Sequence, residues 1–185
     1  MPANEPAPPD EDAMLMLRLR GGDEAALVQL VERWQTPLLN FFYRSLQSRE
    51  SAEDLTQMVF VRLYRAAGRY EQRARFSTFL FQIARRLLIN EFRRQQRKPL
   101  DPQDPVDLHA VSSDSAARLY RELEEAFEQA LPKLPENQRT AILLLKQQEL
   151  SYQEIADIME ASESAVKTWI FRARQFLKQE LKDLV

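Results

Sequence analysis

LSYQEIADIMEASESAVKTWIFRARQFL, residues Leu150 to Leu177, is the stretch whose reading decides the fold. Ser151 followed three residues later by Glu154 is a capping box, in which each side chain satisfies a backbone donor, so a helix begins near Tyr152. Ile155, Ala156 and Met159 give that helix one short apolar stripe. Ser162 offers a second N-cap after only Glu160 and Ala161. The helix it opens sets Val166, Ile170, Ala173, Leu177, Leu181 and Leu184 at spacings of three and four, which is a buried seam. Opposite the seam, at about 100° per residue, lie Ser164, Lys167, Thr168, Phe171, Arg172 and Gln175. Two capped helices across so short a turn read as a helix-turn-helix. Its second helix carries a basic, donor-rich face with an aromatic at the centre, suited to a major groove. The competing reading is an ordinary helical hairpin with a solvated face, because such hairpins are common.

The whole chain of 185 residues suffices for one ordinary domain or two small ones, and with only three glycines and no long β-branched alternation it reads as all-α. The absence of cysteine excludes disulfides, iron-sulfur clusters and thiolate zinc sites. No apolar run approaches about 20 residues and no signal-peptide core opens the chain, so a soluble cytoplasmic protein without membrane insertion is expected. There is no Gly-rich phosphate loop, metal-ligand cluster or nucleophile with a base. The expectation is a non-enzyme without a cofactor.

A net charge of -2 conceals strong segregation. Residues 1–12 carry Glu5, Asp10, Glu11 and Asp12, no base and several prolines, and read as a disordered acidic tail. From Arg69 to Lys98 the balance reverses: Arg69, Arg73, Arg75, Arg85, Arg86, Arg93, Arg94, Arg97 and Lys98 face only Glu71 and Glu91, an electrostatic footprint for a polyanion. Residues 99–115 turn acidic again, with Asp101, Asp104, Asp107 and Asp114 broken by Pro102 and Pro105. That stretch reads as an extended linker, with the lone His109 solvated. Two small helical domains, 13–98 and 116–185, are therefore expected on either side of it.

In the first domain a short helix from Ala13 to Arg20 is closed by Gly21 and Gly22, and Asp23 caps a long helix to Leu46 that contains Pro37. Ser51 and Asp54 form a capping-box pattern opening a helix to about Ala67, whose outer side bears Asp54, Gln57, Arg62 and Arg65. The helix from Phe76 to about Arg97 is apolar around most of its circumference and must be central to its domain. One stripe stays polar: Gln82, Arg86, Asn90, Arg93 and Arg97, with Phe79 at its start. Either solvent or a nucleic-acid strand explains it. In the second domain Ser115 caps a helix to about Ala130, and Pro132 and Pro135 bracket a turn into a helix ending near Lys146.

These segments taken together resemble the extracytoplasmic-function (ECF) sigma factors, the two-domain promoter-specificity subunits of bacterial RNA polymerase. The resemblance runs from about Met14 to Leu184. It is carried by DLTQMVFVRLYR from Asp54, FSTFLFQIARRLLINEFRR from Phe76, LPENQR from Leu134 and the helix-turn-helix. It implies that Asp54, Gln57 and Arg62 dock on the clamp helices of core polymerase, with further contacts to the flap. The minus-ten element would be melted and held by Tyr70, Phe79, Arg86, Asn90, Arg93 and Arg97, which suits a basic track with aromatics that stack bases. Ser164, Lys167, Thr168, Phe171 and Arg172 would face the minus-thirty-five duplex. The implied partners are core RNA polymerase and promoter DNA, with an anti-sigma factor admissible as a third.

The sequence departs from the family pattern at Phe79, where tryptophan is usual, at Arg86, where asparagine is frequent, at Glu160, where the turn often has glycine, and at Trp169, where arginine is frequent. Trp169 lies beside the seam and reads as packing. The alternatives are an autonomous helix-turn-helix regulator and an interaction protein that never touches DNA. No sensory extension is expected beyond the second domain, so regulation would come from outside the chain.

Overall fold

The computed structural model describes residues 10–97, 115–148 and 150–182. The acidic connector with His109 lies outside the described residues, as do Lys98 and Leu184. Among the described residues there are eight α-helices and no strand, so the all-α expectation holds. None of these helices is long and apolar enough to cross a membrane.

The first four helices are α1 (Glu11–Arg20), α2 (Glu24–Leu46), α3 (Arg49–Ala67) and α4 (Phe76–Gln96). Helix α1 starts two residues before the expected boundary, because Asp10 caps it by accepting from the Ala13 N–H at 3.1 Å. Asp10, Glu11 and Asp12 are thus helix start rather than tail, and their negative charge complements the N-terminal dipole. The same carboxylate reaches across the chain: its other oxygen accepts the Phe76 N–H at 2.6 Å. Arg75 supplies no side-chain cap to α4, so Asp10 supplies it from 66 residues away. Gly22 takes φ +94 at the turn into α2, where only glycine is unstrained. Helix α2 runs on through Pro37 to Leu46 as expected.

The expected cap of α3 is corrected. Ser48, not Ser51, is the N-cap, its hydroxyl accepting from the Ser51 N–H at 3.3 Å, and Asp54 lies inside the helix. Both serines fit the sequence rule, and the turn from α2 through Gln47 at φ +55 selects the earlier one. The core of this unit is aromatic. Phe41 meets Phe81 edge-on at 5.3 Å, and Trp34 lies 5.9 Å from Phe76 and 6.1 Å from Phe81.

The second unit comprises α5 (Ser115–Ala130), a 3-10 turn (Leu131–Lys133), α6 (Glu136–Gln148), α7 (Tyr152–Met159) and α8 (Glu163–Glu180). Both limbs of the Ser151/Glu154 capping box form, and Ser162 caps α8 through the Ala165 N–H at 3.2 Å. Val166, Ile170, Ala173 and Leu177 are buried and Leu181 is partly so, which confirms the seam.

The two units pack on one another, α4 against α7 and α2 against α6. This explains the helix that the sequence shows as apolar nearly all round. One side of α4 (Leu80, Phe81, Leu88) fills the first core, while Phe92, farther along, lies under the Arg139 guanidinium of α6 at 5.2 Å.

We expect Ile170→Ala to cost about 2–5 kcal/mol of stability by opening a cavity in the second core, read by urea denaturation. An undiminished midpoint would contradict the helix phase.

Candidate nucleic-acid interface

Three surfaces carry the residues singled out in the sequence. On α3, Asp54, Gln57 and Arg62 are exposed as expected. Among them stand Met58, Val61 and Tyr64, 44%, 49% and 50% exposed, an apolar patch rimmed by charge. Asp54 and Arg62 share a groove with Asn90 of α4.

The second surface is a cleft of about 960 Å³, ample for a nucleotide, between the end of α3, the loop after it and the start of α4. Arg62, Arg65, Arg69 and Arg73 surround it, Tyr70, Phe79 and Gln82 are among its other lining residues, and Glu71, also on its wall, pairs with Arg73 at 2.6 Å. The Tyr70 ring is only 4% exposed and leans on Phe79 at 5.2 Å, while its carbonyl accepts from Arg20 at 3.1 Å. Tyr70 is therefore the floor of the cleft and not a freely projecting stacking ring. Among the described residues its buried hydroxyl has no hydrogen-bond partner, and burial, aided by the Asp10 carboxylate, pushes its pKa up to about 12.

The residues that the resemblance assigns to the minus-ten element do not all gather at the Tyr70 loop. The structure separates them: Asn90 lies with Arg93, Arg94 and Arg97 farther along α4, and Arg62 borders both grooves. Arg93 and Arg97 are exposed. Arg86 donates to Glu160 of the helix-turn-helix turn at 3.1 Å, and Gln82 to the Asp157 carbonyl at 3.4 Å. The first part of the polar stripe thus faces the second unit, and the rest faces outward.

Arg85 is a residue that sequence reasoning missed. It is 7% exposed and lies between α4 and α6, donating to Glu136 at 3.0 Å and to the Asn137 side chain at 3.2 Å. Burial lowers its pKa, and the Glu136 carboxylate opposes that shift. A lone arginine on the apolar circumference of α4 was the available signal, since such a residue needs a partner. The magnitudes rank the contacts. The Arg86–Glu160 pair, 66% and 70% exposed, is worth about 0–1 kcal/mol. Stranding the Arg85 guanidinium would cost several times more, about 3–5 kcal/mol. At the other end of the junction Arg44 of α2 pairs with Glu124 and Glu128 of α5.

The third surface is the outer face of α8. Ser164, Lys167, Thr168, Arg172 and Gln175 are exposed, and Phe171 is 63% exposed, unusual for a side chain with no structural use there. Lys167 pairs with Glu163 at 2.6 Å, and the Thr168 hydroxyl donates back to the Ser164 carbonyl at 2.9 Å. The hydroxyl proton is thus committed, while its lone pairs remain free to accept. Trp169 packs partly buried against the core, in agreement with its expected role.

Comparison with known proteins matches sigma-70 region 2 to residues 30–98 and sigma-70 region 4 to residues 124–177. The RNA polymerase sigma-H factor of Pseudomonas aeruginosa is 30% identical over 186 aligned residues, covering 95% of this chain and 96% of the relative. The ECF sigma-E factor of Escherichia coli K12 is 31% identical, covering 94% and 96%. The ECF sigma factor SigW of Bacillus subtilis is 30% identical, covering 90% and 95%. Among solved structures, CnrH in complex with the cytosolic domain of CnrY superposes with a TM-score of 0.71 at 24% identity, covering 94% of this chain and 99% of that one. RpoE in complex with the anti-sigma factor NepR, from Bartonella quintana, gives 0.69 at 23% identity, covering 83% and 95%.

The buried phenol yields a pH test. With its pKa raised when folded, Tyr70 holds a proton that the unfolded chain has already released, so its contribution is intact below about pH 10 and is lost on the way to about pH 12. Tyr70→Phe should flatten the fall in stability across that window, measured by denaturant midpoints at each pH. An identical pH profile for the variant would contradict the buried, unpartnered hydroxyl.

Proposed function

The chain belongs to the ECF group of RNA polymerase sigma factors, and from that membership we propose how its surfaces divide the work of initiation. As a sigma factor it directs promoter recognition and transcription initiation with core polymerase, and it is not an autonomous helix-turn-helix regulator. Helix α3 docks on the clamp helices through Asp54, Gln57 and Arg62, with Met58 and Val61 as the apolar centre of the contact. The second unit meets the flap. The arginine-ringed cleft over Phe79 and Tyr70 receives a base of the opened non-template strand, and Asn90, Arg93 and Arg97 follow its backbone. Ser164, Lys167, Thr168, Phe171 and Arg172 read the minus-thirty-five duplex, where an exposed phenyl ring suits a thymine methyl and arginine suits a guanine edge. The subunit performs no chemistry of its own, works in the cytoplasm where the polymerase is, and is restrained by an anti-sigma factor.

The observation that carries this reading is the presence, on one chain, of a basic cleft floored by aromatics and a helix-turn-helix with a bare basic face. Duplex readout requires only the second; strand capture requires the first. The deciding experiment is transcription with core polymerase on a duplex promoter beside the same promoter carrying a premelted bubble. Arg69→Ala with Asn90→Ala should leave closed-complex binding nearly unchanged and suppress initiation on duplex. The bubble template supplies the unpairing energy of a few kcal/mol and should restore activity. Failure to recover on the bubble, with binding intact, counts against strand capture by these residues.

The duplex-reading helix has its own test. Arg172→Ala should lose about 1–3 kcal/mol of promoter discrimination with folding intact, read from competition between promoter variants. Uniform weakening across all sequences would assign Arg172 to the phosphates instead.

A further inference from the structure

The loop between α3 and α4 gives the arginine-ringed cleft one wall, through Arg69, Arg73 and Ala74. Residues 71–75 of that loop are all exposed, so burial does not hold them in place. The contacts they make are open to water. Arg73 bonds back to the Glu71 carbonyl through its N–H at 2.9 Å, their side chains pair at 2.6 Å, and Arg75 reaches Glu154 at 3.6 Å. A segment of this kind takes its shape from how its ends are fixed.

Both ends are fixed by the same element. At one end the Tyr70 ring is buried and its carbonyl accepts from the Arg20 guanidinium at 3.1 Å, across 50 residues of sequence. At the other the Phe76 ring is buried and its N–H donates to the Asp10 carboxylate at 2.6 Å, across 66 residues. Arg20 is the last residue of α1 and Asp10 is its N-cap. The ten residues of α1 rise about 15 Å, so the helix reaches from one end of the loop to the other with a polar side chain at each. Neither Asp10 nor Arg20 lines the cleft.

We infer that α1 is the positioning element of the strand-capture cleft, with Arg20 and Asp10 holding the two ends of its loop wall at the separation that admits a base against Phe79. The inference rests on the sigma-factor reading of that cleft. A wall ordered before the strand arrives spares binding the entropy of ordering it. The gain therefore appears in capture of the base, and not in docking on polymerase or in reading the duplex. The two ties differ in their other duties. Asp10 also caps α1 through its second oxygen, whereas Arg20 directs its hydrogen bond to the loop.

The test measures binding of the full-length chain, assembled with core polymerase, to a labelled single-stranded oligonucleotide of the non-template minus-ten element. Single abasic sites replace its bases one at a time. With the parent chain one position should stand out, its loss lowering affinity most, and that position marks the captured base. Arg20→Ala should weaken binding of the intact strand about two- to tenfold, the usual worth of one hydrogen bond. On the strand abasic at the captured position the same variant should match the parent. Arg20→Lys keeps a donor for the Tyr70 carbonyl and should restore most of the loss. Asp10→Ser keeps a good N-cap for α1 but is too short to serve Phe76 as well, and should repeat the pattern of Arg20→Ala. A general loss of folded protein would instead lower binding to every strand equally. The inference is overturned if Arg20→Ala weakens intact and abasic strands alike, if it weakens neither, or if Arg20→Lys restores nothing. A parent chain indifferent to every abasic site removes base capture and this inference together. One sensitive position beside variants that ignore it removes this inference alone.

Discussion

The Arg85 guanidinium, buried between α4 and α6 with Glu136 and Asn137 as its acceptors, is the contact on which the arrangement of the two units turns. A charge taken from water is tolerated only where partners replace the water, so the second unit completes the environment of a residue belonging to the first. Around it the junction is graded. The Arg139 guanidinium covers Phe92, Arg44 draws α5 toward α2, and the exposed Arg86–Glu160 pair adds little energy. Helix α4 is the shared element, with one side committed to the aromatic core of the first unit and another turned toward α7.

This sharing links fold to function. A sigma factor needs a basic, aromatic-floored surface to hold an opened strand, and such a surface carries an affinity for any acidic neighbour. In this chain the nearest acidic neighbour is its own first helix of the helix-turn-helix. The cleft at Phe79 and the far groove at Asn90, Arg93 and Arg97 remain open, and Arg86 between them stays 66% exposed while paired with Glu160. The nearly balanced net charge of -2 is consistent with this internal compensation, with acidic segments set against a basic block on one molecule.

Much of the architecture was legible because helix caps and apolar periodicity are local. The Ser151/Glu154 box, the Ser162 cap and the Val166–Leu177 seam stand where the pattern places them. What escaped depends on contacts distant in sequence. Asp10 looked like part of an acidic tail because the donor that it satisfies, the Phe76 N–H, lies 66 residues on. Ser48 and Ser51 both satisfy the capping rule, and only the turn geometry separates them. Tyr70 read as a ring for stacking a base because a loop aromatic among arginines gives no sign of burial; its packing on Phe79 is tertiary. The site residues of α3 and α8 were readable as exposed faces, whereas the partition of the α4 stripe between α7 and solvent was not, since a linker sequence carries no record of how two units meet.

The central claim is that the basic face of α4, with the aromatic-floored cleft beside it, holds the opened promoter strand while α8 reads the duplex. An electron cryo-microscopy structure of the open promoter complex formed with core polymerase tests it most directly. The account predicts α4 and α7 separated by tens of ångströms, in keeping with about 25 base pairs of intervening promoter. It also predicts the Arg93 and Arg97 guanidinium groups within hydrogen-bonding distance of strand phosphates. An open complex in which the strand runs clear of Arg93, Arg97 and the cleft over Phe79 would contradict it.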